Sequence, residues 1–316
     1  MKDIFHLSLS SHQEVMYRDE ADLNWGFNCL AEACLETDSG LLAEGFMSTH
    51  YHSMVFTDAV KALFRKDHYA YTRYFNARHH RRGRLGENRP FVLPIDGLFH
   101  MTAALNYVLR QGLHHGVTAT PFGYPHCSVN AFFRKDLHRM APDVLMPDNQ
   151  RYKYLTDRSS VPLSIRMDSK GLLLREDVLD TSYVEKIYVT PRNFLFQMNR
   201  ISDEKWEDEQ KSDNTKTPII TPALIETGVK EFNPADVLRN ELGKVNTNRM
   251  TDIELCGLID NVYIQRISGK TNRISVYDLS YSKRAELGNK LWTEIPAVYK
   301  KITSEAQIRR CICLDY

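Results

Sequence analysis

"STHYHSMVF", residues 48 to 56, sets two imidazoles one residue apart in a run that reads as a β-strand. Side chains alternate across a strand with period two, so His50 and His52 share a face while Tyr51 turns to the other. Two nitrogens aimed from one strand face are the beginning of a metal site. A pair of strand histidines is also an ordinary half-buried feature, so its meaning depends on what surrounds it.

Upstream, "IFHLSLSS" (4–11) alternates and predicts an opening strand, and "EADLNWGFNCLAEACLET" (20–37) predicts a helix, with Leu23, Phe27, Leu30, Ala31 and Cys34 at helical spacing and Asp22 as its cap. "LLAEGFMSTHYHSMVF" (41–56) is then a strand or the arm of a hairpin. Downstream, "TDAVKALFRKDHYAYTRYFNARHHRRG" reads as a helix from Thr57 or Asp58 to near Gly83, and "RLGENRPFVLPID" as a short strand or ordered loop. "LFHMTAALNYVLRQGLHHG" is helical from Leu98 and stops at Gly112 or Gly116. On that helix Tyr107 and Gln111 are four apart and share a face, so a phenol and an amide oxygen would move together.

Histidine pair, helix and Y-x-x-x-Q form the arrangement of the single-tyrosine HUH nucleases, in which U is a hydrophobic residue. "YTRYFNARHHRRGRL" (71–85) further resembles the Y-x-R-Y-F-N-x-R-H-x-R-x-G stretch of the REP-associated tyrosine transposases. "NYVLRQGLHHGV" (106–117) falls where that family carries its tyrosine and a later Asn or Gln, and "FGYPHCSVNAFF" (122–133) is similar to its closing segment. The likeness spans roughly residues 3 to 133. It departs in having Tyr51 at the U position and Gln111-Gly112 in place of Asn-Pro. Tyr51 should face the core.

The resemblance implies an α+β fold in which an HUH domain, an antiparallel sheet with flanking helices of ferredoxin or RRM type, precedes a mainly helical C-terminal region. It implies a transposase-like endonuclease and strand transferase acting on single-stranded or hairpin DNA. Tyr107 would be the nucleophile, and a Mg²⁺ or Mn²⁺ ion on His50, His52 and Gln111 would polarise the phosphate and stabilise the leaving 3′ oxygen. The product is a 5′-phosphotyrosine that a second 3′-hydroxyl can reverse. Two other classes share the pattern: a non-catalytic DNA-binding or regulatory protein of the same fold, and a rolling-circle initiator or relaxase. Family members work as monomers or as homodimers that exchange the tyrosine helix.

Residues 61 to 90 carry nine Lys or Arg against Asp67 and Glu87, in a chain whose 41 basic and 40 acidic residues nearly balance overall. With aromatic residues interleaved, this suits a single strand, whose phosphates need cations and whose bases stack. The expected DNA contacts are Arg65, Lys66, Arg73, Tyr74, Arg78, Arg81, Arg82 and Arg84, joined by Arg309 and Arg310 of a helix capped by Ser304 in "TSEAQIRRCIC" (303–313), where a helix-turn-helix is one reading and plain packing the other.

The predicted organisation is a nuclease domain over 1–140, a mixed α/β extension over 141–201 with a hairpin at "DSKG" and a helix at "SYVEKIYV", a polar linker over 202–218, and a helical module over 219–316. All twelve histidines lie between His6 and His138, so imidazole chemistry belongs to the first half. Six cysteines without a CxxC pair predict reduced thiols. No stretch approaches eighteen apolar residues and the opening segment has no signal-peptide pattern, so the expectation is a cytoplasmic protein without a membrane partner.

Overall fold

The computed structural model describes residues 2–11, 14–87, 89–139, 144–156, 161–199, 250–264, 274–294 and 303–314. The first half folds as β1 (Asp3–Ser10), α1 (Glu20–Glu36), β2 (Gly40–Phe46), β3 (His50–Thr57), α2 (Val60–Arg78) and β4 (Phe91–Ile95). The four strands form one antiparallel sheet in the order β2-β3-β1-β4, the topology of a split β-α-β fold. "LLAEGFMSTHYHSMVF" is therefore both arms of a hairpin. The predicted linker over 202–218, with the rest of 200–249, lies outside the described residues.

Register decides what each face carries. His6 pairs with Met54, Ser8 with His52 and Ser10 with His50, so His6, Ser8, Ser10, His50 and His52 share one face. Leu7, Leu9, Tyr51 and Val55 occupy the other, where α1 and α2 pack, with Leu63, Asp67, Tyr71 and Phe75 turned inward from α2. Tyr51 stacks on Phe46 at 5.1 Å and its hydroxyl donates to Asp67 at 2.5 Å, which places it in the core as its alternation required.

The cap of α1 differs from the expectation. Asp19 accepts from the Asp22 backbone N–H at 3.0 Å, and Asp22 sits buried in the first turn. Its carboxylate takes the Arg18 backbone N–H at 2.9 Å and His79 Nε2 at 2.8 Å, and pairs with Arg78. Aspartates three apart are equally good caps by type, and the tertiary contacts from α2 claim one of them.

After β4 come α3 (Leu98–Leu109) and a short α4 (Gln111–His114), which cover the histidine face. The expected single helix breaks at Arg110. A Met167–Leu173 bridge closes the "DSKG" turn, and α5 (Arg175–Val178), α6 (Thr181–Tyr188) and α7 (Pro191–Met198) follow. Val184, Tyr188, Phe194 and Met198 join the same hydrophobic core as the sheet.

A second, smaller core gathers α8 (Asp252–Leu258), the π-helical turn Ile259–Ile264, α9 (Tyr281–Glu294) and α10 (Glu305–Cys311), with Val15 inserted from the first half. Ser304 caps α10 by accepting from the Gln307 N–H, as the sequence predicted. Arg18 ties the two cores together through the Cys311 carbonyl at 3.2 Å and Asp260 at 3.0 Å. All six cysteines are free thiols, and no helix among the described residues is long and apolar enough to cross a membrane.

Asp67 gives the core a pH signature. Burial pushes its carboxyl up to about 7, with the Tyr51 hydrogen bond opposing the shift. An acid whose pKa is higher folded than unfolded holds its proton better in the folded chain, so stability is complete below about pH 4 and falls as pH rises toward 7. The melting temperature of the protein is expected to fall across that window more steeply than that of Asp67→Asn, measured side by side by thermal scans; parallel curves would show that Asp67 makes no such contribution.

Candidate active site on the histidine face

The polar face of β1 and β3 is closed by the end of α3. Gly45 on β2 makes this approach possible, since a Cβ there would lie 2.9 Å from the Val108 carbonyl oxygen and 3.2 Å from Gln111 Cγ. One turn further on, Gly112 admits Tyr124, whose Cβ lies 2.4 Å from where a Gly112 Cβ would stand. The Tyr124 hydroxyl donates to the Phe46 carbonyl at 2.6 Å and pins the segment after α4 to β2.

Beneath this cover His6, His50, His52 and Gln111 are buried, with Tyr107, His114 and His115 half-buried at the edge. Gln111 Oε1 lies 3.4 Å from His50 Nε2 and 3.1 Å from His115 Nε2, and its amide nitrogen donates to the Tyr107 carbonyl at 3.2 Å. The Tyr107 ring stands edge-on to His52, centroids 5.1 Å apart, and to His6 at 6.2 Å. The residues predicted as nucleophile and ion ligands, Tyr107, His50, His52 and Gln111, thus lie around one spot, although the helix break puts Tyr107 on α3 and Gln111 on α4. His6 and His115 belong to the same cluster and were missed. His6 was legible as the polar member of the alternating "HLSLS", and His115 as the residue four beyond Gln111.

Burial lowers the proton affinity of His6, His50, His52 and His115. It takes His50 to about 4, against the Gln111 hydrogen bond and with His114 and Arg310 adding to the fall, and it takes His6 to about 3. His52 and His115 move the same way, again chiefly by burial. At neutral pH the rings are therefore uncharged and carry a lone pair each. His52 Nε2 is buried with no hydrogen-bond partner among the described residues. A buried unpartnered nitrogen, a second imidazole and a carboxamide oxygen suit a divalent cation that keeps water in its other positions; a closed structural zinc site takes four ligands. Among the described residues no three His, Cys, Asp or Glu side chains form an ion-holding group, and Gln111 Oε1 is the side-chain oxygen that lies 3.4 Å from His50 Nε2.

The predicted DNA contacts are dispersed. Arg65, Lys66, Arg73, Tyr74 and Arg78 ride on α2, which packs on the Tyr51 side of the sheet, away from the histidines. Lys66 pairs with Glu36 at 2.5 Å, Arg78 with Asp19 and Asp22, and Arg81 with Glu14. Tyr74 stacks on Trp25 at 4.3 Å, and the Arg73 guanidinium lies 5.6 Å from the centre of the Tyr69 ring. Arg82 and Arg84 are exposed in the loop after α2. Arg309 and Arg310 sit in the last turn of α10; Arg310 pairs with Asp252 at 2.9 Å, and Asp252 accepts from Ser48 at 2.7 Å, two residues before His50.

No family model and no curated protein matches the chain. A solved structure described as the REP-associated tyrosine transposase bound to a REP hairpin aligns with 51% of this chain and 93% of its own, at 12% identity and a TM-score of 0.37. At that TM-score the overlap carries no weight for function, which rests on the site itself.

Filling the glycine contact tests the architecture. Gly45→Ala forces a methyl against the Val108 carbonyl, and overpacking of this kind costs about 1–3 kcal/mol. The expected outcome is a lower melting temperature together with a shifted backbone resonance for Gln111; an unchanged spectrum at Gln111 would show that α4 does not depend on this contact.

Proposed function

We propose that the protein is a DNA strand-cleaving and strand-transferring enzyme that works through a covalent link to Tyr107. The observation that carries this reading is the placement of the Tyr107 ring against His52, with Gln111 one turn away and bonded to the Tyr107 carbonyl. A phenol is almost wholly protonated at neutral pH and attacks phosphate poorly unless charge is stabilised beside it. His50, His52 and Gln111 are the side chains that would hold a Mg²⁺ or Mn²⁺ ion, which when bound supplies Lewis-acid stabilisation of the phosphoryl oxygens.

What the chain's own residues do follows from their burial. Low proton affinity keeps His50 and His52 uncharged as ligands and unsuited to holding the phenolic proton, which leaves to water at the half-exposed edge beside His114 and His115. The Tyr107 oxygen forms a bond to phosphorus as the bond to the 3′ oxygen breaks, and that oxygen departs as a hydroxyl. The phosphate stays with the downstream strand as a 5′-phosphotyrosine. Because one ester replaces another, a second 3′-hydroxyl can reverse the exchange and rejoin strands. Substrates that expose a single strand, including hairpins, fit a nucleophile set at a half-buried edge.

The test is direct. Hairpin DNA labelled at its 3′ end is incubated with the protein and Mn²⁺, then resolved under denaturing conditions. A labelled adduct is expected for the protein and a complete loss for Tyr107→Phe, which removes one oxygen and keeps the ring. An adduct that persists in the variant, or hairpin binding with no adduct at all, would overturn the proposal; the second result would favour a binding protein without turnover.

A further inference from the structure

His6 is the histidine of this face that the proposed ion set does not use. It lies beside His52 with the rings nearly parallel at 14°, and His6 Nε2 is 3.0 Å from His52 Nδ1. Both side chains are fully buried. The outer nitrogen of each, Nδ1 of His6 and Nε2 of His52, has no hydrogen-bond partner among the described residues.

A contact between two ring nitrogens needs one donor and one acceptor, and a neutral imidazole has one of each. Two arrangements satisfy it. In the first, His52 donates from Nδ1, its Nε2 keeps a lone pair, and His6 carries its proton on Nδ1. In the second, His6 donates from Nε2, and the proton of His52 then sits on Nε2. The second arrangement leaves His52 with nothing to offer a cation. Each arrangement strands one N–H and one lone pair away from water, so burial alone does not choose between them. In the first, however, the stranded lone pair is the one that faces the site and that a cation takes up. Outer partners of this kind, usually a carboxylate or a carbonyl, commonly set the tautomer and orientation of a ligating histidine. An imidazole in that place does so without adding a negative charge under the buried sheet face.

We propose that His6 is a positioning residue that accepts the Nδ1–H of His52 and so holds His52 with Nε2 free toward the ion site. This rests on the ion set named above. Tyr107 stands edge-on to both rings, so the same bond also fixes one wall of the nucleophile's pocket.

Two measurements test it. In protein labelled with ¹⁵N-histidine and kept free of metal, long-range ¹⁵N–¹H correlation spectra are expected to show His52 protonated at Nδ1; protonation at Nε2 would overturn the assignment. In Mn²⁺ titrations followed by electron paramagnetic resonance, His6→Phe, which puts a flat aromatic ring with no acceptor in that place, is expected to weaken binding about 10–100-fold. His6→Gln, whose carbonyl can accept the same proton, should bind close to the unaltered protein. A folded His6→Phe that binds Mn²⁺ as tightly as the parent would refute the role. If the unaltered protein takes up no Mn²⁺, the ion set itself fails, and the tautomer seen in the metal-free spectrum decides the His6–His52 bond independently.

Discussion

The close contact between the end of α3 and Gly45 is the constraint on which the rest of the molecule depends. A strand face bearing His6, Ser8, Ser10, His50 and His52 would ordinarily lie against water. Here the Val108 carbonyl rests where only a glycine leaves room, and the helix seals that face. Two consequences share this cause. Removal from water lowers the proton affinity of His6, His50 and His52, and the same helix delivers the Tyr107 ring to within 5.1 Å of His52. A looser cover would weaken both together.

Sealing the face interrupts the helix. α3 ends at Leu109, and the carbonyls of Val108 and Leu109 accept from the Cys127 thiol at 3.5 and 3.3 Å. The Gln111 amide takes the Tyr107 carbonyl. Carbonyls left open at a helix end need partners, and these come from a segment that follows in sequence and packs against β2. The Gln111 side chain is therefore held by the Tyr107 carbonyl one turn back, which leaves Oε1 turned to the two imidazoles.

Local signals in the sequence carried the strands, because alternation is a property of adjacent residues: the core placement of Tyr51 and the common face of His50 and His52 both follow from it. The Ser304 cap was legible for the same reason. The Arg110 break was not, since Val108, Leu109, Arg110 and Gln111 are all compatible with helix and the break is set by Gly45 and Cys127 from distant parts of the chain. His6 was hidden in another way. Its alternation marks a polar face on β1, but only the pairing of β1 with β3, a contact 46 residues apart, brings it to His52.

Charge was the signal to which three dimensions added most. The basic excess of α2 and its following loop is partly spent on joining elements: Lys66 reaches Glu36 on α1, Arg78 reaches Asp19 and Asp22, and Arg81 reaches Glu14. Those pairs hold α2 against α1 and the residues leading into it, so their cations meet any phosphate only in competition with a carboxylate. The opposite economy holds beside His50. A lone arginine beside the histidine face would repel any cation there, yet Arg310 arrives with Asp252, and the two act on His50 in opposite directions, the first lowering and the second raising its proton affinity. Opposite charges held as a pair offset one another in part. The C-terminal helices thus reach Ser48, two residues before His50, through a carboxylate that is itself paired with an arginine.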